Sequence, residues 1–433
     1  PAVHGAVDPT DRLDPERSPF LAQMLADAGY VTAAFTGGAY LSPDFGFAQG
    51  FDRYASNDPV WALDGVRGRQ LMEMGTGPNA GQHAELLARY AAPMISEWIE
   101  RQDDGVPFFL FAHTYVVHNY SPDPRRLKAR GLLGEKGQQA RLDDTLRERF
   151  NAGEPALREQ VVAELVPYYD ATIEMADEFV GGLLDTLERT GQAGRTLVIV
   201  TSDHGEEFGE HGYFGHGKNL YESNVRVPLL VRMPEGPVGG PRSGWGELAQ
   251  PAVIDELVSL VDLPPFILRT VGLAPDPRMS LGEEWDALRA VPPARSRVVM
   301  ELDTRFERVS ALREGDFKLH VRTAPTKGVE GSAAAGGGPG PAGGAQAAAP
   351  DAQLQLFDVV QDAGETADLG GGSPQAAPLR SALERFQLLT RAIRAASGGA
   401  EQGAPVLDPA TRELLIQMGY VEEGETRNAA ESR

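Results

Sequence analysis

Residues 196–228 read TLVIVTSDHGEEFGEHGYFGHGKNLYESNVRVP. The run from Thr196 to Val200 is β-branched and apolar without interruption, the pattern of a parallel strand buried on both faces. Asp203 and His204 fall just past its carboxyl end, the edge where open α/β sheets place their ligands. Gly205 frees the backbone to turn. An Asp and a His side by side on such a turn can offer a carboxylate oxygen and an imidazole nitrogen to one divalent cation. Lys218 adds a mobile ammonium suited to an anionic oxygen. Metal plus ammonium points to an oxyanion ester as substrate. Each residue also has an ordinary reading. An Asp-His pair after a strand is commonly a turn or cap, and His211 and His216, taken singly, read as solvated loop residues. Those single readings leave unexplained the order of strand, DHG, EHG, GHGK and LYE before a second apolar strand, Val227 to Val231.

Working outward, a helix is expected at FLAQMLADA, with Ser18 as N-cap, Pro19 at N1 and Gly29 as its stop. A strand follows at Tyr30 to Phe35. An amphipathic helix at about His83 to Glu100 leads through Pro107 into the apolar strand Phe108 to Phe111, and AHTYVVHNYSP follows. His113 and His118 therefore lie past another strand's carboxyl end. Leu127 to Pro155 is polar and reads as a surface excursion. Glu159 to Thr190 is helical, with a kink or restart expected at Pro167, and Ala252 to Leu263 reads as a further helix. From Val298 the pattern changes to short alternating strands, then an amphipathic helix from Leu379 to Ala396. Residues 324–352 are Gly, Ala and Pro with almost no charge, a composition unable to bury an apolar face.

The 196–228 segment resembles the C-terminal metal and substrate motif of the sulfatases, in the alkaline phosphatase superfamily. AGYVTAAFTGGAYLSPDFGFAQGFDRY, YYDATIEMADEFVGGLLDTL and AVIDELVSLVDLPP resemble further passages of that family, as do the FKLH and LFD phrases of the C-terminal strands. The resemblance implies an α/β, alkaline-phosphatase-like sandwich: a large, mainly parallel sheet flanked by helices, plus a small C-terminal antiparallel-sheet subdomain. The expected division is 1–297 for the catalytic part, 298–396 for the subdomain with its 324–352 insert, and 397–433 for a tail. It further implies a hydrolase of sulfate esters in which Asp203 and His204 bind the metal, usually calcium. His118 would orient the sulfate and protonate the leaving alcohol, a task suited to imidazole's pKa near 6.5, and Lys218 would clamp a sulfate oxygen. His113 reads as a supporting or packing residue. The family usually has Pro and an aromatic directly after the His matched by His118; here Asn119 and Tyr120 precede Ser121 and Pro122.

A segment similar to PAVHG follows, in that family, directly on the loop and helix that carry the nucleophile. The first strand, its paired acidic ligands and a formylglycine are thus expected upstream. The chain contains no Cys and no Ser-x-Pro/Ala-x-Arg sequence of that kind. The Asp-His form at residues 203–204, where many sulfatases have Asp-Asn, also occurs among related phosphonate monoester and phosphodiester hydrolases that use Mn2+ or Zn2+. These are the rival reading, with a phosphoglycerol or phosphoethanolamine transferase and a non-catalytic module behind them.

The formal net charge of −22 over 433 residues argues against nucleic acid or an anionic membrane surface as partner. The expected partner is a small-molecule or carbohydrate sulfate ester. No apolar run approaches the ~18 residues of a membrane span, and PAVHGAVDPTDRLDPERSP has no apolar core of a signal peptide. An extracytoplasmic location is expected by family habit alone, and the oligomeric state is left open.

Overall fold

A computed structural model describes residues 13, 19–37, 41–56, 81–118, 120, 122–132, 149–234, 253–276, 297–303, 308–323 and 353–396. The expected cap Ser18, the 324–352 insert and the 397–433 tail lie outside them. Helix α1 (Leu21–Asp27) leads into β1 (Val31–Thr36), and Arg53–Ser56 forms β2. Helix α2 (Gly81–Glu100) is followed by β3 (Phe108–Ala112). β1 pairs in parallel with both β2 and β3, giving the order β2-β1-β3. Parallel neighbours require crossover helices that cover the sheet. One face accordingly packs Ala33 and Phe35 of β1 against Ile95, Trp98 and Ile99 of α2 and against Phe179 and Leu187 of α4 (Arg158–Arg189). Helix α4 runs unbroken through Pro167.

Beyond α4 the strand β4 (Val198–Thr201) departs from expectation. It pairs antiparallel with β7 (Leu229–Arg232), and both strands are half-exposed. A β-branched run suits a strand of either direction; the connection decides which. A parallel return needs a crossover of a dozen or more residues, usually a helix. Between β4 and β7 stand only the two-residue strands β5 (Glu207–Phe208) and β6 (Phe214–Gly215) and the one-turn helix α5 (Glu222–Val225), so the chain doubles back.

Two other expectations are corrected. Residues 253–259 are not helical; a capping box of Ser259 and Asp262 starts a short 3-10 turn, and helix α6 is Leu263–Thr270. Pro264 and Pro265 belong to its opening turn, where a missing N–H costs nothing. The surface reading of Leu127 to Pro155, of which 133–148 lie outside the described residues, fails at two residues. Leu127, in α3 (Pro124–Ala129), and Phe150 are buried with Tyr120, Val161, Leu165, Tyr168 and Phe214 in a second core.

The C-terminal strands β8 (Arg297–Asp303), β9 (Arg308–Glu314), β10 (Phe317–Thr323) and β11 (Gln353–Asp358) form one antiparallel sheet in the order β11-β10-β9-β8. Helix α7 (Ala376–Ala396) lays Ala376, Leu379, Ala382 and Leu383 on Leu312, Leu319 and Leu356. The molecule is thus α/β, with a parallel sheet and a separate antiparallel sheet near its C-terminus. Among the described residues no helix is long and apolar enough to cross a membrane.

Candidate active site

The carboxyl ends of β3 and β4 deliver the site. His113 continues β3, its N–H donating to the Phe35 carbonyl at 2.8 Å. Thr114 Oγ1 accepts from Val116 N, and Val116 is fully buried against Met175 of α4, which pins the turn. His118 N then donates to the Tyr115 carbonyl at 3.0 Å. Tyr120, just beyond, is buried at φ 47. A bulky residue in the left-handed region costs of order 1 kcal/mol or more, and such strain concentrates at functional sites.

From the other side, β4 ends at Thr201 and the turn 202–205 follows. Gly205 is required here for space rather than for a special φ. A Cβ on it would lie 2.0 Å from the Ser223 carbonyl oxygen, and its N–H donates to the Asn224 carbonyl at 2.8 Å. The turn that carries Asp203 and His204 is therefore pressed against α5.

These segments bring His118, His204 and His216 together, with one ring nitrogen from each lying within 4.8 Å of the others. The His204 and His216 rings stack at 3.9 Å, and His118 stands edge-on to both, at 6.2 and 4.9 Å between ring centroids. His204 Nδ1 faces the Gly205 carbonyl at 2.8 Å, and His216 Nδ1 faces both Glu206 oxygens at 3.3 Å. In each ring Nδ1 faces an oxygen and so carries a proton, and Nε2, once it gives up any second proton, is the nitrogen left to accept. That is the tautomer of a metal-ligating histidine, with Glu206 as the outer carboxylate that orients it. Burial pushes the Glu206 carboxyl up, but the hydrogen bond and charge of His216, with Tyr120 and His118 behind them, hold it below the usual range. It is the anion this arrangement needs.

Asp203 stays largely in solvent, its Oδ2 3.9 Å from His204 Nε2. Burial lowers the His113 pKa, Asp203 opposes this and His204 adds to it. A neutral His113 accepts at Nδ1 from Gly37 N at 3.4 Å and stands edge-on to the Tyr115 ring, which in turn stands edge-on to His118. Lys218 is exposed, its ammonium 5.5 Å from the Tyr213 ring centroid. It shares the loop of His216, two residues on.

The solvated-loop reading of His211 and His216 is overturned. His216 is in the cluster, and the His211 side chain is 11% exposed, packed against fully buried Glu207. The sequence also did not single out Glu206 or Tyr120. The close spacing of DHG, EHG and GHGK was the only signal for Glu206, whose partner His216 lies ten residues on, whereas Tyr120 and His118 reach it from the end of β3.

A family profile described as Sulfatase matches residues 2–273, more than half of the chain. The chain belongs to the sulfatase family. Among its relatives, arylsulfatase K of Xenopus laevis is 37% identical over 115 residues, 27% of this chain and 19% of that protein. Choline-sulfatase of Rhizobium meliloti is 33% identical over 153 residues, 35% of this chain and 27% of that protein. The matched segments thus span well under a third of these curated relatives. This sulfatase-family chain is also similar in fold to two solved structures. One is a protein in complex with its substrate D-glucosamine-2-N,6-O-disulfate, at TM-score 0.57 and 17% identity, covering 92% of this chain and 87% of that one. The other is the phosphonate monoester hydrolase of Agrobacterium radiobacter, at TM-score 0.56 and 17% identity, covering 90% and 83%.

Proposed function

We propose that this chain carries the metal and substrate half of a sulfuric ester hydrolase site, acting on a small-molecule or carbohydrate sulfate ester. The observation that carries the reading is the convergence of His118, His204 and His216 beyond the ends of β3 and β4 in a member of the sulfatase family. His204 and His216, with the exposed Asp203 carboxylate beside them, are the residues that would hold the divalent cation. The donor set suits Mn2+ or Zn2+, which accept imidazole, better than Ca2+, which takes 6–8 oxygens. When bound, the cation offsets charge that grows on the ester oxygens during transfer. His118, edge-on to the stacked pair, orients the ester and hands a proton to the departing alcohol oxygen. Lys218, swung from Tyr213, would pair with a non-bridging oxygen; its long stem permits that reach. With no Cys in the chain and no formylglycine-type Ser sequence, the reading needs a nucleophile from outside these 433 residues, and we assign that role to an upstream formylglycine.

The imidazole-rich donor set also favours a second reading, a phosphonate monoester or phosphodiester hydrolase. The intact protein separates the two. A higher kcat/KM for an aryl sulfate than for the matching aryl phosphonate, with both rates lost in His118→Ala, supports the sulfatase reading. A faster phosphonate ester hands it to the rival. No turnover of any of these esters by the intact protein, metal supplied, overturns both.

A further inference from the structure

Residues 207–222, which carry His216 and Lys218, are fastened to the C-terminal sheet by buried charge that the site itself does not use. The fully buried Glu207 closes the segment on itself: its Oε1 accepts from His211 N at 2.7 Å and meets His211 Nδ1 at 2.8 Å, while Oε2 accepts from Asn219 Nδ2. His211 Nε2 meets the carbonyl of Gly364, 153 positions along the chain, at 2.9 Å. Both ring nitrogens thus face oxygen acceptors, and only the imidazolium donates to both. Tyr221 stacks on His211 at 3.6 Å, and its hydroxyl bonds Gln355 of β11 at 3.1 Å.

A second tie follows at once. Glu222 takes Lys318 Nζ and Arg313 Nη1, each at 2.9 Å, and Lys318 is fully buried. Lys318 also reaches Glu365 Oε1 at 3.2 Å, an oxygen that meets His320 Nε2 at 2.9 Å, and Glu365 Oε2 accepts from the Glu222 N–H. Glu365 holds this place at φ 49, a strained backbone for a non-glycine residue. Buried ion clusters seldom stabilise more than apolar packing would, but they can fix one register. The segment needs that: Gly209, Gly212, Gly215 and Gly217 all take positive φ, so its own backbone has little to hold a single conformation. Asn151 and Arg158 bond Phe214 and Gly209 from the α4 side, and the C-terminal sheet holds the opposite side.

We propose that His211 and Lys318 are positioning residues of this site: the C-terminal sheet and the turn at 364–365 seat the glycine-rich loop that presents His216 and Lys218, and His211 does so as the imidazolium. The proposal rests on the reading of His216 as a metal ligand. The groups facing His211 are Glu207 from β5, Asp362 and Glu365 from the turn after β11, and the Tyr221 ring. Loss of its proton strips one of two acceptors of its donor, and the loop loosens.

The test uses the full chain, measuring hydrogen exchange of residues 208–218, tryptic cleavage after Lys218 and Co2+ binding by absorption. Wild type is compared with His211→Ala, His211→Gln and Lys318→Met between about pH 5.5 and about pH 8.5, the range in which imidazole titrates. Wild-type protection, corrected for intrinsic exchange, should fall as pH rises through the His211 titration. In His211→Gln, whose amide still donates toward Gly364, it should be flat with pH. His211→Ala and Lys318→Met should expose the loop and weaken Co2+ about tenfold or more, the scale of losing an outer-shell support, while α7 and its sheet keep their protection. Gln should restore part of the Ala loss. If Lys318→Met does not fold, the His211 pair decides. Equal loop protection in His211→Ala and wild type, or wild-type protection indifferent to pH, overturns the proposal. Should wild type bind no Co2+ at all, the ligand assignment fails, and the exchange arm still decides the tether.

Discussion

Glu206→Gln is the sharpest perturbation of the candidate site, because it changes one atom's charge and leaves the volume. The side chain is 7% exposed and both its oxygens lie 3.3 Å from His216 Nδ1. A neutral amide can still accept from Nδ1 through its oxygen but no longer supplies the negative charge, and it can flip to present NH2, which forces the wrong tautomer on His216. Losing such an outer-shell carboxylate costs about 10–100-fold in metal affinity; the retained acceptor puts the expectation near tenfold, or about 1.4 kcal/mol. The effect is readable without turnover. Metal at 100 times its Kd stabilises the fold by about 2.7 kcal/mol, and at ten times by about 1.4. At a Co2+ concentration set to 100 times the wild-type Kd, the variant should therefore forfeit about half of the metal-induced rise in Tm, with its metal-free Tm close to wild type. His216→Ala should lose more than Glu206→Gln does. A Glu206→Gln protein with wild-type Co2+ affinity and an undiminished rise in Tm would refute the assignment of Glu206 as the group that orients a ligand.

Gly205→Ala should lower stability by about 1–3 kcal/mol, as overpacking does, since the new Cβ meets the Ser223 carbonyl at 2.0 Å; denaturant unfolding and a Co2+ titration should both register it. Leu312→Ala, fully buried under α7, should cost about 2–5 kcal/mol in urea unfolding. Stability should depend on pH from both sides. His211, whose pKa burial lowers but the Glu207 bond and charge carry above the usual value, contributes below the unfolded pKa and is lost as pH rises through its folded one. His320 is the opposite case. Burial, aided by Lys318 and Arg322 against the pull of Glu365, lowers its pKa, so its contribution is present above the unfolded pKa and lost as pH falls through the folded one. Urea midpoints across pH for His211→Gln and His320→Gln should each flatten one limb, and a variant that leaves its limb unchanged would show that the residue is not its source.

Hydrophobic period and strand-end punctuation, both local properties, were enough to read β1, β3, α2, α4 and α7 from the chain, and to put His118, Asp203 and His204 just past two strand ends. The family and its α/β character were legible for the same reason, since the DHG, EHG and GHGK phrases are contiguous. What the sequence could not carry was anything that depends on which distant segment arrives as neighbour. The direction of β4 follows from how residues 202–228 fold back, and the place of α6 from a cap whose partners compete with the apolar run before it. His216 looks like a loop histidine until Glu206 accepts from its Nδ1 and His118 closes on it from a strand end almost a hundred residues earlier. His211 and Lys318 are ordinary polar residues in sequence; only burial against Glu207, Glu222, Glu365 and the Gly364 carbonyl makes them ions that must be paired. Periodicity records which side of an element is apolar, whereas charge state and tautomer are set by the atoms packed against a group, and those are fixed only when the chain has closed.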